Sequence, residues 1–509
     1  MEHSRGQSAP RSIFRRTSPE DALAATHDPH RQLRRTLTPW DLAVMGVAVA
    51  VGAGIFSVGA TAAANYAGPA VIVSFVVAAI VCGLAIMCYA EFASSLPIAG
   101  SAYTFSYATM GEGVAWVIGW DLILEMLLAA AVIAKFWGVY VGDALGLFGL
   151  HVPMSFHVGG VSVEWGPVLV VAIFTTLLAI GTRLSTRVNA VFTALKVGIT
   201  LFVVVAGFAY VKAANYHPFV PPSQPSTAGT SALHQSLFGW LLGWAPATYG
   251  AAGILSGAAL VFFAFIGFDV VATTAEETKD PQRTMPRGML GGLGVVTVLY
   301  ILVSVVVTGM VPYTELAKSA SPSLTTAFVL VGATWAGKVI SVGIVLGLTS
   351  VVMVLLLGLT RIVFAMSRDG LLPRGLSRTS PRFGTPARLQ VGAGVVVALI
   401  AGLSQVHLLE EMINIGTLSA FVLVSFGVPV LRKLRPDLPR GFRVPWSPVL
   451  PWISGVACLW LMLNLTTLTW LRFAVWLAVG AVVYATYSYR HSRLGRGEVV
   501  QAREEDSLL

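Results

Sequence analysis

Three kinds of residue in the sequence could do chemistry inside an apolar setting. Gly52 and Gly54 stand one residue apart in VAVGAGIFSV, residues 49–58, and Gly267 and Asp269 stand close together in LVFFAFIGFDVVATTAEETKDPQ. Lys196 lies in NAVFTALKVGIT, and Asp121 and Glu125 lie four apart in GWDLILE. Glycine costs roughly 1 kcal/mol in a helix interior relative to alanine, so two glycines within an apolar run predict an unwound stretch. Unwinding frees backbone groups. A new half-helix N-terminus offers N–H groups and the positive end of a dipole to a carboxylate, while freed carbonyls suit an ammonium group. Two such breaks facing each other would fit a zwitterion. The same glycines could instead serve only close helix packing.

The charged residues are read in the same way. Lys196 falls about nine residues into its apolar run, roughly 13 Å along a helix, too deep for its stem to carry the ammonium back to water comfortably. A buried ammonium is costly to desolvate, which suits a group that takes up and gives up a proton. A fixed structural cation bonded to helix carbonyls is the other reading. Asp121 and Glu125 share one helix face and repel when both are ionised. Glu125 could face a ligand's side chain and favour a cationic one, or could be a hydrogen-bonded packing residue. Asp269 follows the second break, where capping of the next half-helix is the expected role and ligand contact the alternative.

The elements that must position these residues are membrane helices. Of the 509 residues 56% are hydrophobic and 11% charged, against about 25% charged in soluble domains. Apolar runs long enough to cross a bilayer recur, and they are continuous, without the alternation of a barrel strand. Twelve spans are expected, near 40–62, 69–93, 111–141, 166–182, 188–211, 251–275, 288–311, 337–365, 389–407, 412–431, 449–468 and 471–489. Cys82, Cys88 and Cys458 all fall within these runs and read as small core residues, and the nine His show no ligand spacing. No metal site is expected. Residues 1–38 are polar and Arg-rich, unlike a signal peptide.

Sidedness follows from the positive-inside rule. With the N-terminus inside, 27 of the 33 Lys and Arg fall on the cytoplasmic segments. Lys212, Lys318, Lys338 and Arg472 fall on the other face, and Lys135 and Lys196 within spans. The net charge of +9 is thus explained by membrane sidedness, and nucleic acid is not an expected partner. The expected organisation is a cytoplasmic tail (1–38), a first repeat of five spans (39–211), an outer loop (212–250), a second repeat (251–431), a cytoplasmic loop (432–448), two further spans (449–489) and a cytoplasmic C-terminal tail (490–509). Trp240 and Trp244 in the outer loop read as interface anchors. Spans 1 and 6 carry the glycine breaks at corresponding positions of the two fives, which is the sequence pointer to a secondary transporter's binding site.

Long ordered motifs agree with this: GAGIF, CYAEFASSLPIAGSAYTFSYATMGE, FFAFIGFDVVATTAEETKDPQRTMP, GLTRIVFAMSRDGLLP, NIGTLSAFVLV and LMLNLTTLTWLRFAVW. Through them the chain resembles the amino acid–polyamine–organocation superfamily, nearest its cationic amino acid transporter branch in bacterial form. The resemblance implies an all-α integral membrane fold with a five-plus-five inverted repeat, discontinuous helices 1 and 6, and two extra C-terminal helices. It implies amino-acid transport by alternating access in the cell membrane, with no cofactor and the proton as coupling ion. The substrate carboxylate would lie on the N–H groups of Ala53, Gly54 and Ile55, beside Gly52. The amine would lie on carbonyls near Val49, Ala50, Phe263, Ala264 and Ile266, beside Gly267, and Phe263 or Phe265 would be the aromatic gate. Many relatives have Ser or Thr where this chain has Ala53, which removes one hydroxyl and leaves backbone recognition intact. Lys196 matches the place of a coupling lysine.

The sequence is compatible with other readings. An exchanger or facilitator needs the same fold. A membrane enzyme would need a nucleophile with its base, or a metal set, and neither is seen; a sensor would carry a signalling domain. Glu91, Arg361, Arg368 and Asp369 read as helix-end or inner-gate residues, Glu276 and Glu277 as the close of span 6, and Asn414 as a gating or contact residue. Neutral, branched and cationic amino acids all fit the backbone site, and a small membrane partner subunit is neither implied nor excluded.

Overall fold

The computed structural model describes residues 37–496 except 53, 96–100, 159–160, 182–185, 226–231, 245–246, 273, 276–277, 320, 381–384 and 437. Among these residues are seven helices long and apolar enough to cross a membrane and five shorter apolar helices. The principal helices are α1 (Pro39–Ala50), α2 (Val71–Ser95), α3 (Glu112–Leu147), α4 (Trp165–Ala179), α5 (Thr186–Phe208), α6 (Gly250–Val261), α7 (Pro281–Met310), α8 (Thr334–Arg368), α9 (Ala387–Leu403), α10 (Val406–Leu434), α11 (Val449–Leu463) and α12 (Thr467–Val483).

Local sequence explains where these helices start and stop. Pro39 opens α1, and Thr38 and Asp41 form a reciprocal capping box: Thr38 Oγ1 accepts from the Asp41 N–H at 3.3 Å, and the Thr38 N–H donates to Asp41 Oδ2 at 2.9 Å. The helical run from Gly54 ends at Gly68, whose φ of +59° lies where an L side chain is strained, and Pro69 then opens the turn into α2. α3 has 36 residues, about 54 Å at 1.5 Å per residue, so it must tilt or project beyond a hydrocarbon layer of about 30 Å.

Span 6 carries the expected break: α6 stops at Val261, a tight 3-10 turn covers Phe262–Phe265, and Ile266 is extended before a short helix, Phe268–Ala272. Other elements differ from the expected spans. α10 begins at Val406, not 412, and carries Glu410 and Glu411 on helix. An antiparallel hairpin, β1 (Ser155–Val158) and β2 (Val161–Glu164), precedes α4. In the long loop Gln224–Pro225 pairs with Ala247–Thr248.

α3 packs on α8 and α10, and α7 packs on α1 and α2. α6 packs on α2, and the turns of the two breaks pack on each other. At one end of the bundle Glu91 of α2 is fully buried and takes a bidentate pair from Arg432 of α10, at 2.8 and 2.7 Å, plus the Val444 N–H at 2.7 Å. A buried carboxylate is tolerable only when paired and hydrogen-bonded in this way. At the same end Tyr103 donates to Asp369 at 2.8 Å.

Candidate binding site at the paired helix breaks

The first break follows directly from α1. The last helical bond there runs from the Val51 N–H to the Val47 carbonyl at 2.9 Å, and the chain resumes in wide π-type turns over Gly54–Val58. In the second break Gly267 has φ of +114°, reachable without strain only by glycine. The two breaks lie against each other reciprocally. A Cβ on Gly54 would run into Ala264, 2.6 Å from its Cβ, and a Cβ on Gly267 would run into Val49, 3.0 Å from its Cβ. Gly54 therefore admits the backbone of Ala264, and Gly267 admits the side chain of Val49 at the end of α1. Of the two sequence readings for these glycines, close packing applies to Gly54 and Gly267 directly. Unwinding applies as well, because the helix bonds are interrupted at both places.

One side chain absent from the sequence reading joins the breaks. Tyr300 of α7 is fully buried, and its hydroxyl lies 2.5 Å from the Ala50 carbonyl and 2.8 Å from the Ala264 carbonyl. With a single proton to give, it is shared between the last carbonyl of α1 and a carbonyl of the 3-10 turn. Phe75 and Phe265 pack edge-on around its ring, at 5.8 and 5.2 Å between centroids. A tyrosine in mid-span, where its hydroxyl needs a partner, was the available signal.

Lys196 reaches the same place from α5. It is 2% exposed, and its Nζ donates to the Ala48 carbonyl of α1, two residues before the helix ends. Gly347 of α8 lies against its stem, so that a Cβ there would sit 2.6 Å from Lys196 Cγ. Among the described residues no carboxylate pairs with Lys196. Lys135, the other lysine within a span, is paired with Glu164 at 2.8 Å and donates to the Ala401 carbonyl at 3.1 Å.

The remaining predicted residues divide. Asn414 of α10 donates to the Ala259 and Leu260 carbonyls at 3.0 and 3.3 Å, just ahead of the second break. Phe263, Phe265, Ile55 and Ile266 are all buried around the breaks. Phe265 is committed to the Tyr300 cluster. Asp121 accepts from Ser419 of α10 at 2.5 Å, and Glu125, one turn along α3, is buried. Nothing in these contacts joins the Asp121–Ser419 bond to the breaks. Ala53 and the side chain of Asp269 lie outside the described residues, as do Glu276 and Glu277.

The arrangement offers carbonyls, a shared hydroxyl and a buried amine around two interrupted helices. Such a site suits a small polar solute that is held by backbone groups. Comparison with known proteins fits this. Residues 37–489 match the family model described as amino acid permease. The chain is 41% identical over 492 residues to a branched-chain amino acid permease of Bacillus subtilis, covering 95% of this chain and 99% of that one. It is 40% identical over 490 residues to a methylthioribose transporter of the same organism, covering 95% and 100%. It is 36% identical over 432 residues to a vacuolar cationic amino acid transporter of Arabidopsis thaliana, covering 84% and 68%.

Proposed function

The chain belongs to the amino acid permease family and is a multi-pass membrane transporter, not an enzyme, and on that premise we propose that it is a proton-coupled amino-acid symporter working by alternating access. The observation that carries this reading is Lys196, buried without a carboxylate partner among the described residues and bonded to α1 at Ala48. A protonated Lys196 braces α5 against the first half of the broken helix. A deprotonated amine can no longer donate as an ammonium, and the brace loosens. For the proton to drive transport, its affinity must differ between the outward-open and inward-open states, since a ligand shifts an equilibrium only through differential affinity.

In this reading the substrate carboxylate takes the N–H groups of Ala53, Gly54 and Ile55, beside Gly52. The ammonium takes carbonyls of Val49, Ala50, Phe263, Ala264 and Ile266. Twelve spans in a five-plus-five inverted repeat, with both termini cytoplasmic and the loop 212–250 outside, complete it. Asn414 and Asp269 serve as gate and cap. Among substrates we favour a branched-chain amino acid, supported by the Bacillus subtilis permease at 41% identity and by the apolar surroundings of the breaks. The similarly close methylthioribose transporter supplies the competing solute. Uptake of labelled leucine, arginine, alanine and methylthioribose into proteoliposomes, with and without an acid exterior, tests the proposal. Leucine accumulation driven by the pH gradient is expected. Accumulation of methylthioribose alone would overturn the substrate, and accumulation indifferent to the gradient would overturn the coupling in favour of a facilitator or exchanger.

A further inference from the structure

A cavity of about 470 Å3 lies under the long loop, lined by none of the residues of the two breaks. Its roof includes Gln235, Trp244 and Thr248 of the loop, and its floor reaches Leu260, next to the second break. The volume is that of a small organic ligand site. Glu411 of α10 lines it and is 7% exposed. Its Oε2 accepts from the Thr466 hydroxyl at 2.6 Å and from the Thr469 hydroxyl, so the group acts as a carboxylate acceptor on that side. Oε1 has no partner among the described residues. Glu410, 4% exposed, is its chain neighbour, and Tyr66 also lines the cavity.

Among the described residues neither glutamate has a cation partner, and no Lys or Arg lines the cavity; His234 is its one basic lining residue. A buried carboxylate without a counter-ion calls for one. No group of three or more His, Cys, Asp or Glu among the described residues could hold a metal ion, and the space exceeds what a bare ion fills. Amides of Asn65 and Asn464 stand in the same wall and could donate to an anionic group of the same ligand.

We propose that this cavity is a capture site for ammonium-bearing organic solutes, with Glu411 as the residue that recognises the ammonium. It rests on the transport reading in one respect: the captured solute is the one passed on toward the breaks. The site would then separate an α-amino acid from a neutral thiosugar before either reaches Ala50 and Ala264.

The test uses the full chain in proteoliposomes and needs no uptake. Cys82, Cys88 and Cys458 are buried, so Ser256→Cys places a reactive thiol in the cavity wall. Its reaction rates with the trimethylammonioethyl and sulfonatoethyl methanethiosulfonates are each divided by the rate with a free thiol. The normalised rate should favour the cationic reagent by about tenfold, the size expected of a charge-lined cleft, and Glu411→Gln should bring the ratio close to one. Leucine and alanine should slow the cationic reagent, whereas N-acetylleucine and methylthioribose should not. The proposal is overturned by a ratio near one with Glu411 in place, by a ratio that Glu411→Gln leaves unchanged, by absence of protection by either amino acid, or by a thiol that neither reagent reaches. Failure of every solute to accumulate would sink the transport reading while leaving these charge and protection ratios as they are.

Discussion

Tyr300 concentrates what single residues do here. Its hydroxyl is shared by the Ala50 and Ala264 carbonyls, both at places where the helix ladder has stopped. Tyr300→Phe keeps the ring packing and removes the shared donor. Buried acceptors left unpaired cost about 1–3 kcal/mol, so the purified variant should melt measurably earlier than wild type, with weakened leucine binding. Unchanged melting would mean that water or substrate already satisfies these carbonyls. Asp121, on the same helix face as Glu125, is committed across to Ser419, and we propose a packing role for Glu125 one turn along. Glu125→Gln should then lower the uptake of every transported amino acid by a similar factor; loss confined to arginine would instead make it a reader of cationic side chains.

At the scale of elements, the two breaks hold one another through their glycines. Gly54→Ala puts a methyl group into Ala264, and Gly267→Ala both collides with Val49 and forces alanine to φ of +114°. Overpacking of this kind costs typically about 1–3 kcal/mol. Thermal melts without substrate should show both variants destabilised, with Gly267→Ala the worse, and equal melting temperatures would contradict the interlock. The glycines were legible in the sequence because unwinding and close approach both require them. Lys196 was legible because its depth in an apolar run is a count of residues. What could not be read was which partner each would find. Tyr300 looks in sequence like any tyrosine of an apolar helix, and its role depends on α7 crossing both breaks. The pairing of Glu91 with Arg432 spans 341 residues, and no local pattern announces it. Phe263 and Phe265 were equivalent by spacing and were separated only by the ring contacts of Phe265.

For the whole molecule, alternating access as proposed requires two ends that open in turn around the breaks. The Glu91–Arg432–Val444 cluster ties α2 to α10 and to the segment after it. Breaking a buried pair by removing one partner costs about 3–5 kcal/mol. Glu91→Gln should therefore loosen that end, seen as faster reaction of a thiol placed nearby with a reagent applied from the N-terminal side; an unchanged rate would mean that the cluster does not hold this end shut. The proposal that Lys196 carries the coupling proton is tested by following proton movement together with leucine. In proteoliposomes loaded with a pH-sensitive dye, addition of outside leucine should acidify the lumen for wild type, and Lys196→Met should abolish this acidification together with leucine accumulation. Leucine-dependent acidification that persists in Lys196→Met would mean that another group carries the proton.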